Sequence, residues 1–158
     1  MYYTITGVSG NSFSYHVTLK LFRDCNSTGA QLDINASIGI FDKSTSTMVW
    51  NQLVPQSQVV ILSLGSPSPC ITSPPIVCYQ VGYYEFDVTL PGTPSGYIIA
   101  YQRCCRIPGI NNLSPPSNNW GATYSAEVPG TASLTSDPNN SSARFIGEDT
   151  VIVCANNP

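Results

Sequence analysis

Residues 12–24 place the tightest limit on what this chain can become. Phe13, Tyr15, Val17, Leu19 and Leu21 occupy every second position, with Ser14, His16, Thr18 and Lys20 between them. A period of two puts one set on a buried face and the other toward solvent, which is the pattern of a half-buried antiparallel strand. It returns in Ile34, Ala36, Ile38 and Ile40, and again where Tyr84, Phe86 and Val88 alternate with Glu85, Asp87 and Thr89. That last stretch belongs to residues 76–90, expected to hold one or two strands, and further strands are expected at residues 2–6, 48–50, 58–64, 96–105, 120–128 and 150–154. Turn-forming Gly, Pro, Asn and Ser separate them. Gly65, Pro67, Pro69, Pro74 and Pro75 exclude regular structure from the stretch between two of these strands. Eight or nine strands, no convincing helix and no internal repeat define an all-β chain. The expected fold is an immunoglobulin-like antiparallel β-sandwich stapled by disulfides. It forms a single domain over residues 1–154, with 155–158 a tail or linker to a following domain.

The stretch Gly96-Tyr-Ile-Ile-Ala-Tyr-Gln-Arg-Cys-Cys-Arg106 reads as the central rib of that sandwich. Neighbouring side chains on a strand point to opposite faces, so Cys104 and Cys105 are expected to reach two different distant cysteines. The chain has six cysteines, none in a C-x-x-C pair, and one histidine, His16. That excludes the usual zinc spacings and favours three disulfides made in an oxidising compartment. Cys70 and Cys78 flank the proline-rich loop and are expected to pair locally. The strand register then favours Cys25 with Cys105 and Cys104 with Cys154, and the swapped arrangement stays open.

Composition excludes several functions. Only 9% of residues are charged, net charge is −3, and there are six Lys and Arg in all. Such a chain offers no basic patch for nucleic acid or an anionic membrane. No apolar run is long enough to span a bilayer. The first residues carry no basic-then-apolar signal, so a secreted reading takes the signal as removed or the chain as a fragment. A catalytic cysteine would want a histidine base and an electropositive pocket. His16 falls on the outward face of its strand, and no catalytic residue, metal site or cofactor is expected. Arg23, Asp24, Arg103 and Arg106 are the only concentrated charges. They form either a carboxylate- or sugar-binding cluster or a structural one, with the arginines capping loop carbonyls beside the disulfides and pairing with Asp24. The structural role has the better claim. Glu148 and Asp149 are the only adjacent acidic pair that calcium could use.

An ordered series of motifs runs through the chain. Arg23-Asp24-Cys25 closes a strand and Leu90-Pro91 follows another. Tyr101-Gln-Arg-Cys-Cys-Arg106 comes next, with Asn111-Asn-Leu113 soon after and Val151-Ile-Val-Cys154 near the end. The series resembles the N-terminal β module of large bacteroidetes cell-surface proteins of the gliding-motility and adhesin-like kind. The resemblance covers residues 2–154. It implies export to the cell surface or beyond by type IX secretion, and a part in adhesion, surface fibres or motility. The expected function is therefore a non-catalytic extracellular structural or adhesion module that packs with neighbouring β domains or identical subunits. The alternative is a glycan- or protein-binding module that uses the loops at residues 26–30, 66–75 and 107–119.

Overall fold

The computed structural model describes residues 1–63, 78–106, 109–131 and 140–144. Seven strands lie in these segments: β1 (Tyr2–Ser9), β2 (Ser12–Asp24), β3 (Asn35–Asp42), β4 (Met48–Ser63), β5 (Cys78–Pro91), β6 (Gly96–Arg103) and β7 (Ala122–Pro129). All pairings are antiparallel, and the strands form one sheet in the order β1-β2-β5-β4-β3-β6-β7. The only helical element among the described residues is a 3-10 turn at Ser117–Asn119.

The alternation in residues 12–24 does what it predicts. β2 and β5 pair from Ser12 against Pro91 to Asp24 against Tyr79 with no shift of register. That register sets Phe13 beside Leu90, Tyr15 beside Val88, Val17 beside Phe86 and Leu19 beside Tyr84, and all eight side chains are buried. Cross-strand apolar pairs on one face are what stabilise such a ladder.

The spacing predicts two short strands at 48–50 and 58–64, whereas the chain forms one long strand, β4. Its first half, to Pro55, pairs with β3, and from Gln56 onward it pairs with β5. Pro55 sits where the strand changes partner, so its missing N–H costs no ladder bond. The Gln56 N–H instead reaches the Ile34 carbonyl at 2.9 Å, and the register slips between Gln56 and Gln58. Bulges of this kind bend a sheet. Here the sheet curls into a half-barrel whose two arms share β4 and face one core. Val17, Leu19 and Tyr84 come from one arm and Ile38, Ile40 and Ile99 from the other, all fully buried. Each such side chain contributes roughly 1.5–3 kcal/mol through the area it removes from water. Trp50 of β4 stacks on Phe86 of β5 with centroids 4.8 Å apart, which ties the arms together.

β6, expected at the centre, lies next to the edge strand β7, and β4 takes the central place because it serves both arms. Gly96 opens β6 at φ +80, and a Cβ there would lie 2.1 Å from the Val128 carbonyl oxygen, so only glycine fits that start.

The cysteines pair differently from expectation. Cys25 bonds Cys78 across the end of the β2–β5 ladder, with Cα atoms 5.4 Å apart and the Cys25 N–H on the Cys78 carbonyl at 3.0 Å. Cys78 is therefore not bonded to Cys70, nor Cys25 to Cys105. Register decides this, because Cys25 and Cys78 are the next rung after Asp24 and Tyr79. Cys104 bonds its neighbour Cys105, with Cα atoms 3.2 Å apart, which removes the expected link to Cys154. The expectation carried strand alternation through Cys105, but β6 ends at Arg103 and the alternation ends with it. No described cysteine is free. Cys70, Cys154, Glu148, Asp149 and the strand expected at 150–154 lie outside the described residues. The disulfides point to an oxidising, non-cytoplasmic location. Among the described residues no helix is long and apolar enough to cross a membrane.

Candidate functional site

The charges singled out in the sequence gather at the end of the sheet where β2 and β6 finish. Arg23 leaves β2 just before the turn at residues 24–30 and folds back over it. Its Nε donates to the Ala30 carbonyl at 3.0 Å and its Nη2 to Ser27 O at 2.5 Å. Nη1 donates to Asp24 O at 3.2 Å and to Gln80 Oε1 at 3.3 Å. A planar guanidinium with five donors suits this wrapping of a tight loop, and its fork is thereby committed to the chain itself. Asp24 holds the same turn, its Oδ1 accepting the Asn26 N–H at 2.8 Å. Arg23 thus meets Asp24 through the main-chain carbonyl and not through the carboxylate.

Arg103, the last residue of β6, reaches across to the segment between β2 and β3. Its Nη2 donates to Gln31 O at 2.8 Å and lies 3.2 Å from Asp33 Oδ1. Arg106 faces elsewhere, with its Nε on Gly121 O and its N–H on Trp120 O, both at 2.9 Å. The structure therefore brings Arg23, Asp24 and Arg103 to one end and assigns Arg106 to the approach to β7. Each arginine caps loop carbonyls.

Asp33 went unnoticed in the sequence, yet it joins the two arms. Its main-chain oxygen accepts the Tyr84 hydroxyl from β5, and its Oδ2 accepts the Tyr101 hydroxyl from β6, each at 2.5 Å. Burial, and then the hydrogen bond to the Asp33 carboxylate, raise the Tyr101 phenol above its ordinary pKa. Both groups are parts of one clasp, and no run of residues around Asp33 signals it.

His16 is on the outward face, as its place in the alternation indicates. Its Nδ1 lies 2.8 Å from Asp87 Oδ1, and its Nε2 lies 3.8 Å from Glu85 Oε1. The sequence shows each of these residues as outward-facing. Only the β2–β5 register, which sets His16 opposite Asp87, shows that they meet. Among the described residues no group of three His, Cys, Asp or Glu is arranged to hold a metal ion.

The described residues also form concave surfaces, three of which bear on the site. One of about 260 Å³ lies between β2 and the ends of β6 and β7, with Leu21, Phe22, Leu32, Arg103 and Tyr124 on its walls. A second, about 340 Å³, lies in the loop before β7 and includes Asn111, Leu113, Pro116 and Asn118. The third is a shallow trough of about 290 Å³ on the outer face of β4, β3 and β6. Gly39 and Ala100 form its floor, and Phe41, Met48, Asn51 and Gln102 its sides. No protein-family model matches the chain, and no curated protein or solved structure matches it.

Proposed function

We propose that this chain is a non-catalytic structural or adhesion module of a bacterial surface adhesin or fibre, working outside the cell by packing against like domains. Its curled sheet, with two arms around one core, supports an immunoglobulin-like reading of the fold. The observation that carries the proposal is the apolar outer surface of β4. Met48, Val49 and Leu53 are 51%, 50% and 64% exposed; Met48 lines the trough floored by Gly39 and Ala100, and Leu53 pairs with Ser37, which lines it too. Exposed apolar side chains interspersed with neutral polar ones, on a lightly charged sheet, suit side-by-side contact between modules. Cross-strand disulfides such as Cys25–Cys78 suit a module under tension, because they keep the ladder from unzipping.

The test is sedimentation and electron microscopy of the oxidised protein over a wide range of concentration, beside a Leu53→Asp variant. Assembly that grows with concentration and is weakened by the substitution supports the proposal. A monodisperse monomer throughout counts against it.

The second reading, a glycan- or protein-binding module, draws on the loops at one end. Arg103 ties the 26–33 segment to the end of β6, and Trp120, half-exposed, stands beside the loop cleft at residues 109–118. Residues 66–75, the third loop of that reading, lie outside the described residues. A flat response on a glycan array would weaken it.

A further inference from the structure

The trough on the outer face of β3, β4 and β6 joins a small-residue floor to a wall of mixed chemistry. Asn51 of β4, Gly39 of β3 and Ala100 of β6 form one rung across the sheet. Gly39 and Ala100 carry almost no side chain, so the surface dips there. Phe41, two residues on from Gly39, shares its face. Its ring leans back over the glycine, and a Cβ at position 39 would stand 2.9 Å from Cε2 and 3.1 Å from Cζ. The glycine thus seats the ring against the sheet, half-buried, at the side of the trough. Ser37, Asn51 and Gln102 add a hydroxyl and two amides to the lining. All three are exposed, and among the described residues no hydrogen bond engages their side chains.

This lining narrows what fits it. No charged residue lines the trough, so it offers nothing to a phosphate, sulfate or carboxylate. β3 and β6 each pair on both sides, so their main-chain groups are taken and no peptide can add there as a strand. A purely apolar ligand would strip water from the amides and the hydroxyl and give them no partner in return. What fits is an uncharged ligand with an apolar face beside hydroxyl groups. A pyranose ring has that form: its C–H face rests on an aromatic ring and its hydroxyls lie around the edge. A side-chain amide both donates and accepts, so Asn51 and Gln102 can each serve neighbouring hydroxyls. At about 290 Å³ the trough is near the lower end of ligand sites, about 300–1,000 Å³. We propose that it binds an uncharged, unbranched glycan, with one sugar stacked on Phe41 and its hydroxyls held by Asn51, Gln102 and Ser37. The site lies on a sheet face, apart from the loop cleft at residues 109–118. It also goes beyond packing between like modules, which draws on the exposed apolar side chains of β4.

Amide NMR titration of the oxidised full chain tests it, at a dilution where sedimentation shows a monomer. The result then does not depend on whether modules pack, and assembly in the absence of sugar bears on the packing alone. The probes are short unbranched oligomers of glucose, mannose, xylose and N-acetylglucosamine. At least one is expected to move the Gly39, Phe41, Ala100 and Gln102 amides, with a Kd of about 0.1–1 mM. Phe41→Leu, which keeps an apolar side chain beside Gly39, is expected to weaken binding about three- to tenfold through lost stacking. Asn51→Ala and Gln102→Ala change exposed positions and leave the core intact, and each is expected to weaken binding about two- to tenfold. No movement of these amides with any of the four sugars would overturn the proposal. So would movement confined to residues 109–120, or binding that all three substitutions leave unchanged.

Discussion

Replacing Asp33 by alanine should loosen the clasp between the two arms of the sheet while leaving their ladders intact. The substitution leaves the Tyr101 hydroxyl, on a side chain only 2% exposed, without its carboxylate acceptor. An unsatisfied buried polar group costs about 1–3 kcal/mol. The half-buried contact with Arg103, at 3.2 Å, adds about 0–1 kcal/mol, and Arg103 keeps Gln31 O. The expected loss is about 2–3 kcal/mol, read as a fall in the urea midpoint of the oxidised protein at unchanged slope. Double-mutant cycles make the test specific. Coupling between Asp33→Ala and Tyr101→Phe should be about 1–2 kcal/mol. Coupling between Asp33→Ala and Tyr84→Phe should be near zero, because Tyr84 bonds the main-chain oxygen that alanine retains. A loss below about 0.5 kcal/mol, or equal coupling to both tyrosines, would refute the clasp.

Two further outcomes follow from the same geometry. Cys25→Ser should cost about 4 kcal/mol in the chain-entropy account, since its bridge closes a separation of 53 residues; Cys104→Ser should cost about 1 kcal/mol or less, and paired unfolding curves would show the order. The Tyr15 phenol is pushed up to about 12 from 10.0 by burial first and then by Tyr3 and Tyr97. Below the unfolded value both states hold the proton and the contribution to stability is whole. As pH rises toward the folded value the unfolded chain ionises first, so stability should fall through that window, and a Tyr15→Phe variant should fall less steeply in denaturation curves followed beside tyrosinate absorbance.

The all-β class, the inward faces of β2 and β5 and the outward place of His16 were legible in the sequence, because a strand imposes a period of two on any residue set that is buried on one side. The strand at 96–105 was legible as a strand but not as a neighbour of the edge, since strand order is set by pairings between distant segments. The two short strands expected at 48–50 and 58–64 are one, and the Pro55 between them is harmless only because the strand changes partner there from β3 to β5. The disulfides turned on where strands stop. A single rung past Asp24 joins Cys25 to Cys78, and the end of β6 at Arg103 frees Cys104 to meet Cys105. The Asp33 clasp has no local signature, because its partners are 51 and 68 residues away. Local alternation thus decides which face each side chain shows, while register and curvature, which sum contacts over the whole chain, decide which side chains meet.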